Sequence, residues 1–380
     1  MNKTEDILNS INTNIFFKEF TFGFDNLIRD ENNQQIELAD NIVWLENYCS
    51  IYQIKERNTE EKSVPFDKWL SNKVINKAAN QIKNTIKTLK SNHAIIIKNN
   101  RNHAMSLKDI PLDILKKIII YNPNEEIENK HRFLKFRESK TVGLIHLFHI
   151  EDYMWVCKYL ATPYEVYEYL GFREKFYQFQ GIKLNQLPEQ YILSHYFAGG
   201  DYDSIDARYI DVLNDLSNEN ESSDLNFYLS KFGDRVKNSV HENDYYLVLA
   251  EIAKLHRNEM TEFKKRFLKI FDFVKTDELH DPYRMTVKNG CGFVFWGLTK
   301  DVSENWENAL INISLGHKYE QKINKCVGVV VFQSDEQYDV FWTYIEKDWE
   351  YEEEMENYIK TAPLRELKKK SFVPYKFKLD

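Results

Sequence analysis

The stretch Ile36 to Arg57, IELADNIVWLENYCSIYQIKER, constrains the fold more than any other part of the chain. Its two runs rich in Ile, Val, Trp, Leu and Tyr predict paired strands joined at Glu46-Asn47-Tyr48, because branched and aromatic side chains suit a pleated, half-buried surface. The first run opens on Asp40, and the second carries Gln53 and Lys55. Side chains two apart on a strand share a face, so Gln53 and Lys55 project together while Tyr52 and Ile54 project the other way. With a turn near Asn47-Tyr48, Asp40 lies across from Gln53 or Lys55. Singly, Asp40 reads as a turn residue starting a strand and Lys55 as a solvated strand end beside Glu56 and Arg57. Gln53 changes the balance, since an unpaired amide buried in an apolar strand costs about 1 to 3 kcal/mol.

Three polar groups then converge on one face, and their types define a chemistry. A carboxylate and a carbonyl-type oxygen can hold Mg²⁺, a hard ion that keeps several waters. An adjacent lysine can stabilise charge or help position a metal-activated hydroxide as it attacks phosphorus. Glu37, three residues before Asp40, faces the other side of an extended chain and reads as a supporting or merely exposed residue.

After the hairpin, Trp69, Leu70, Val74, Ile75, Ala78, Ile82, Ile86 and Leu89 recur at helical steps and predict one apolar stripe. Lysines at 73, 77, 83, 87 and 90 occupy much of the remaining surface. The chain as a whole is acidic, with a net charge of −8, yet residues 65–117 hold 11 Lys+Arg against 3 Asp+Glu. Such asymmetry marks either a phosphate-facing surface or an ordinary lysine-rich solvated helix.

Asp40 followed by Gln53-Ile54-Lys55, with ELAD before the first strand and the helix NKAANQIKNTIKTLK after the second, resembles the PD-(D/E)xK restriction-endonuclease-like superfamily in a QxK variant similar to that of Mrr-type and defence-associated nucleases. The family sets an acid on one strand and an acid-x-Lys signature on the next. The resemblance covers residues 15 to about 120 and implies a mixed sheet flanked by helices, Mg²⁺ or Mn²⁺ as cofactor, DNA as substrate, and a role in defence against phage or foreign DNA. Asp40 and Gln53 would bind the metal and Lys55 would stabilise charge and help activate water. Glu19, in FFKEFTFGF, is the candidate for a further acid from an upstream helix, with an ordinary polar residue as the equal alternative. Lys77 and Gln81, one helical turn apart, would touch the nucleic-acid backbone or orient the site. Gln53 departs from the family's acid, which leaves a second reading: a nuclease fold that only binds nucleic acid or a protein partner.

The remaining chain predicts an α/β or α+β layer fold. HAIIIKN and KKIIIYNP read as buried strands, and TVGLIHLFHI as another, on which His146 and His149 point to opposite faces. The expected organisation is a nuclease domain over 1–150, a mainly helical segment over 151–270 and a smaller α+β domain over 271–380. In the last, Asn289-Gly290 predicts a hairpin turn, and residues 335–360 read as one helix after the strand KCVGVVVFQ. The C-terminal half is where a protein partner or second copy of the chain would dock. Asp201, Asp203 and Asp206 sit in an acidic loop that lacks the glycine and glutamate of a calcium loop. Four scattered cysteines indicate neither a zinc site nor a disulfide framework. No run approaches the roughly 18 apolar residues of a membrane span, and MNKTEDILNS lacks a signal-peptide core, so a cytoplasmic protein is expected.

Overall fold

The computed structural model describes residues 3–23, 28–29, 35–36, 38–91, 95–199, 201–204, 213, 225–235 and 241–367. The described chain is mixed α/β, with parallel and antiparallel pairs in its sheets and helices packed on them. It forms two compact units: one holds the described residues up to 213 with 228–232, the other holds 225–227 and 233–367. The division therefore falls well beyond residue 150, and the helical stretch from 151 to 270 is not a body of its own. Its first helices bury Tyr153, Val156, Val166, Tyr169 and Ile192 against Tyr52, Ile54, Ile118 and Ile120 of the sheet in one continuous core.

The first unit opens with helix α1 (Lys3–Phe16) and three strands, β1 (Thr21–Gly23), β2 (Asn41–Leu45) and β3 (Tyr48–Glu56). A long helix, α2, follows in three pieces: Phe66–Trp69, a wider-wound π-type stretch Leu70–Lys77, and Ala78–Ser91. Next come the small hairpin β4 (Ile96–Lys98) and β5 (Ala104–Ser106), strands β6 (Lys116–Asn122), β7 (Phe136–Ser139) and β8 (Gly143–His149), and helices α3 (Ile150–Tyr159), α4 (Pro163–Gln180) and α5 (Glu189–Ala198). The main sheet has the order β1-β2-β3-β6-β8-β7. Strands β1, β2 and β3 pair antiparallel, β3, β6 and β8 run parallel, and β7 closes the far edge antiparallel.

Both faces of this sheet are covered, which explains its near-continuous apolar strands. Val74, Ala78, Ile82 and Leu89 of α2 pack on Ile42, Ile51 and Ile119 on one face. Helices α1, α3, α4 and α5 cover the other. The run Ile95 to Ile97 departs from expectation: β4 pairs with β5 outside the main sheet, and Ile96 is 63% exposed between buried Ile95 and Ile97. Three consecutive isoleucines hide a strand of period two with one wet face.

The second unit comprises α6 (Tyr246–Ala253), α7 (Arg257–Thr276), β9 (Tyr283–Thr286), β10 (Cys291–Gly297), α8 (Trp306–Glu320), β11 (Lys325–Ser334), β12 (Gln337–Glu346) and α9 (Glu353–Thr361). Its sheet has the order β9-β10-β11-β12, with β10 and β11 parallel around the α8 crossover. The β9–β10 hairpin turns through Asn289-Gly290, where Gly290 adopts φ 84°. Residues 337–346 are a strand, not the start of a helix. Val340, Phe341, Trp342, Tyr344 and Ile345 form an aromatic and branched run that favours the ladder with β11. The acidic run after it begins a separate helix, α9. All four cysteines are free and buried. No described helix is long and apolar enough to cross a membrane.

Candidate functional site

The β2–β3 hairpin determines where its polar residues meet. It turns at Glu46-Asn47, with Glu46 in the left-handed region at φ 49°, and its register pairs Asn41 with Tyr52 and Ile42 with Ile51. The Asp40 amide extends the ladder by donating to Tyr52 O at 2.9 Å. Asp40 thus falls opposite Gln53, on the face that Ile42 and Ile51 share with α2.

Lys55 Nζ donates to Gln53 Oε1 at 3.2 Å and to Ile54 O at 2.9 Å, and lies 3.9 Å from Asp40 Oδ2. Asp40 Oδ2 also accepts the Ile54 amide at 2.5 Å, which fixes the carboxylate against the strand. The structure brings Asp40, Gln53 and Lys55 together. Their burial differs: the Lys55 and Asp40 side chains are 15% and 24% exposed, whereas Gln53 is fully sealed. Gln53 Nε2 is buried with no hydrogen-bond partner among the described residues. With Oε1 turned to the ammonium, the opposite flip would set an NH₂ against a positive charge, so the amide orientation follows from electrostatics.

Glu19 does not join this group. Pairing of Thr21 with Val43 and Gly23 with Asn41 carries the chain before β1 toward Leu45, about 17 Å along the strand from Asp40 at the usual rise per residue. There the buried Glu19 accepts Arg101 Nε at 2.7 Å. Lys77 and Gln81 lie on α2, the helix over the Gln53 face; Lys77 is exposed and Gln81 half-buried. Glu37 and Asp206 lie outside the described residues.

Residues beyond the hairpin set the end of β3. Arg57 is buried, pairs with Glu125, donates to Val64 O and lies over the Phe66 and Trp69 rings at 5.3 and 5.7 Å. It ties the entry of α2 to the strand end. Glu56 accepts the Thr4 amide at 3.2 Å and Asn124 Nδ2 at 3.0 Å. Burial pushes its carboxyl up, but those hydrogen bonds outweigh burial and hold it below the usual range. On the opposite face, Asn41 bonds Asn12 and Asn9, and Tyr153 bridges Asn12 to Tyr52. Sequence reasoning missed these residues, although the unusual density of asparagine in α1 was visible.

A second polar cluster lies deeper in the first unit. Arg173 is fully buried, donates to Glu189 at 2.7 Å and to the Lys135 and Leu147 carbonyls at 2.9 Å, and stands over the Phe148 ring at 3.9 Å. His146 joins it at 3.1 Å and meets Glu174 at 3.0 Å, while Lys116 pairs with Glu174 at 2.6 Å. Burial pushes His146 down to about 4 and Lys135 down to about 8. For Glu174 burial works the other way, but the His146 and Lys116 contacts bring its carboxyl down to about 2. His149, on the other face of β8, accepts the Glu151 amide and starts α3. Among the described residues no three or more His, Cys, Asp or Glu side chains gather as a metal-holding group. Set against family models, curated proteins and solved structures, the chain matches none.

Proposed function

We propose that the chain is a metal-dependent nuclease, built on a restriction-endonuclease-like core, that hydrolyses phosphodiester bonds in DNA. The observation that carries this reading is the convergence of Asp40, Gln53 and Lys55 at the end of β3. The element order gives further support: a helix, three antiparallel strands, a lysine-bearing helix over the Asp40 face, then a parallel strand. That order suits a family that sets its acid and its acid-x-Lys on adjacent strands with a basic helix following.

The donors fit a hard cation in type and charge. Oxygens of Asp40 and Gln53 already face one positive charge, the Lys55 ammonium. Mg²⁺ or Mn²⁺ would be held by the Asp40 carboxylate and the Gln53 carbonyl oxygen, and would supply Lewis acidity toward phosphorus and a more acidic water. Asp40 is kept in place for this by the Ile54 amide. Lys55 is the group that meets negative charge as it gathers on the phosphoryl oxygens. Lys77 and Gln81, on the helix over that face, would take phosphate oxygens of the same strand. Defence against phage or foreign DNA follows from the company that such domains keep.

One observation favours the second reading, a silent nuclease fold that binds nucleic acid or a protein partner: the Lys55 ammonium already occupies the Gln53 oxygen and neutralises Asp40. Plasmid cleavage with Mg²⁺ or Mn²⁺ separates the two. The nuclease reading expects nicking that falls at least about 100-fold in Asp40→Ala and in Lys55→Ala. Cleavage untouched by both substitutions would sink the site assignment. Absence of cleavage with either ion, with DNA binding retained, supports the silent module.

A further inference from the structure

Beside the edge strand β1 lies an open groove of about 770 Å³ between α1 and the β4 segment. Its floor is an amide lattice. Asn9 Oδ1 accepts from Asn41 Nδ2 at 3.1 Å and from Asn100 Nδ2 at 2.9 Å, and Asn100 also reaches Thr13 Oγ1 at 2.7 Å. Asn100 Oδ1 in turn accepts the Gly23 amide of the edge strand. Gly23 permits the close approach, since a Cβ there would stand 2.9 Å from Asn9 Oδ1.

The walls differ from the floor in having donors to spare. Lys18 and Lys98 are exposed, and neither makes an ion pair among the described residues. Asn14 and Asn102 are exposed beside them, with no side-chain hydrogen bond to another described residue. Asp6 is the one acid among the described lining residues, and no aromatic ring is among them. Ammonium and amide donors suit phosphate oxygens, and without an aromatic ring the described lining offers no stacking surface for bases or sugar faces. Asn41 follows Asp40 directly but its side chain points the other way, so this floor lies on the face of the sheet opposite Asp40, Gln53 and Lys55. Two strand spacings, about 10 Å, separate β1 from β3.

We infer that this groove binds the phosphate backbone of a single nucleic-acid strand, without regard to its sequence, through Lys18, Lys98, Asn14 and Asn102. The inference rests on the nuclease-fold reading for the nature of its ligand and adds a binding track, separate from Lys77 and Gln81, on the β1 edge.

Fluorescence anisotropy of the full chain with a labelled single-stranded DNA, in EDTA and across a salt series, tests this without turnover. Lys18→Glu/Lys98→Glu is compared with the charge-matched control Lys175→Glu/Lys183→Glu, whose lysines are also exposed. Removing two lysine–phosphate pairings along a single strand makes the log–log salt slope shallower by about 1.4 and weakens binding by about tenfold or more. Asn14→Ala/Asn102→Ala, which changes no charge, weakens binding with the slope unaltered. An equal loss in the groove variant and the control overturns the inference, as does unchanged binding in all three. Binding of a neutral oligosaccharide that the groove variant alone abolishes, with DNA binding intact, would overturn it too. The outcome is independent of cleavage: a chain that never nicks plasmid but shows the slope change keeps the groove and loses only the catalytic reading.

Discussion

The first unit contains two convergent polar clusters, and they are built on opposite rules. Around Arg173 the guanidinium finds Glu189, two backbone carbonyls and His146, and two aromatic rings flank it. Arg173, Glu189, Lys135 and His146 are sealed, and only Glu174 and Lys116 at the rim of the cluster are partly exposed. At Asp40, Gln53 and Lys55 the charges are partly exposed, and one buried amide nitrogen has no partner among the described residues. A saturated network holds elements together, here β7, β8, α4 and α5. The unsaturated one lies toward the carboxyl end of β3, the end at which α/β sheets generally place ligand sites, and the proposed nuclease reading puts its metal there.

Removing Arg173 gives the contrast its strongest test. Arg173→Ala strands Glu189 without its main counter-charge in a sealed core, and breaking a buried pair from one side costs about 3 to 5 kcal/mol. Urea denaturation, followed by hydrogen exchange in β6 and β8, reads this loss directly. If the loss stays below about 1 kcal/mol, as expected of an exposed pair, the network does not hold the unit together.

A somewhat smaller effect comes from acid. His146 is held neutral by burial, with its pKa down at about 4 against an ordinary 6.5, so the unfolded chain takes up its proton first as pH falls. Its contribution is whole above about 6.5 and drains away toward pH 4, by about 3 kcal/mol at most. Burial also takes His149 down to about 4, so both histidines contribute in this window. Replacing His146 with Gln lowers the slope of stability against pH there by about one proton. An unchanged slope would mean that His146 is not sealed in the native state.

The two clusters also differ in how far the sequence discloses them. Gln53 and Lys55 sit two apart on one strand and Asp40 lies across a short turn, so local rules of pleat and register are enough to place them on one face. The turn position leaves Asp40 opposite either of two residues, and the ladder resolves it in favour of Gln53. Arg173, Glu189, Lys135 and His146 come from four separate elements, and no period connects them; only the packing of α4 and α5 on the sheet does. Glu19 shows the same limit from the other side. Its place near the first strands suggests a further acid, but antiparallel pairing of β1 sends it to the end of β2 away from Asp40. Residues 337–346 read as helix in the sequence because an acidic helical run follows an aromatic strand with no glycine or proline between them. The stripe of α2 is legible because eight apolar residues keep one phase, although the π-type widening at 70–77 is not.

The smallest expected effect is also the sharpest, because its sign differs between the clusters. Gln53 is surrounded by apolar neighbours on β3 and carries an amide nitrogen that no described group satisfies. Leaving such a group unpaired costs about 1 to 3 kcal/mol, and replacing it by an apolar side chain of similar size removes that cost. Against this stands the hydrogen bond to Lys55, which is partly exposed and can turn to water instead. Gln53→Leu is therefore expected to raise the stability of the first unit by about 1 kcal/mol while nicking activity falls with the lost metal-binding oxygen. An apolar replacement in the Arg173 cluster would do the reverse to stability. Should Gln53→Leu destabilise the unit as Arg173→Ala does, the amide is a structural member of the hairpin, and the case for a polar group retained at some cost to the fold fails.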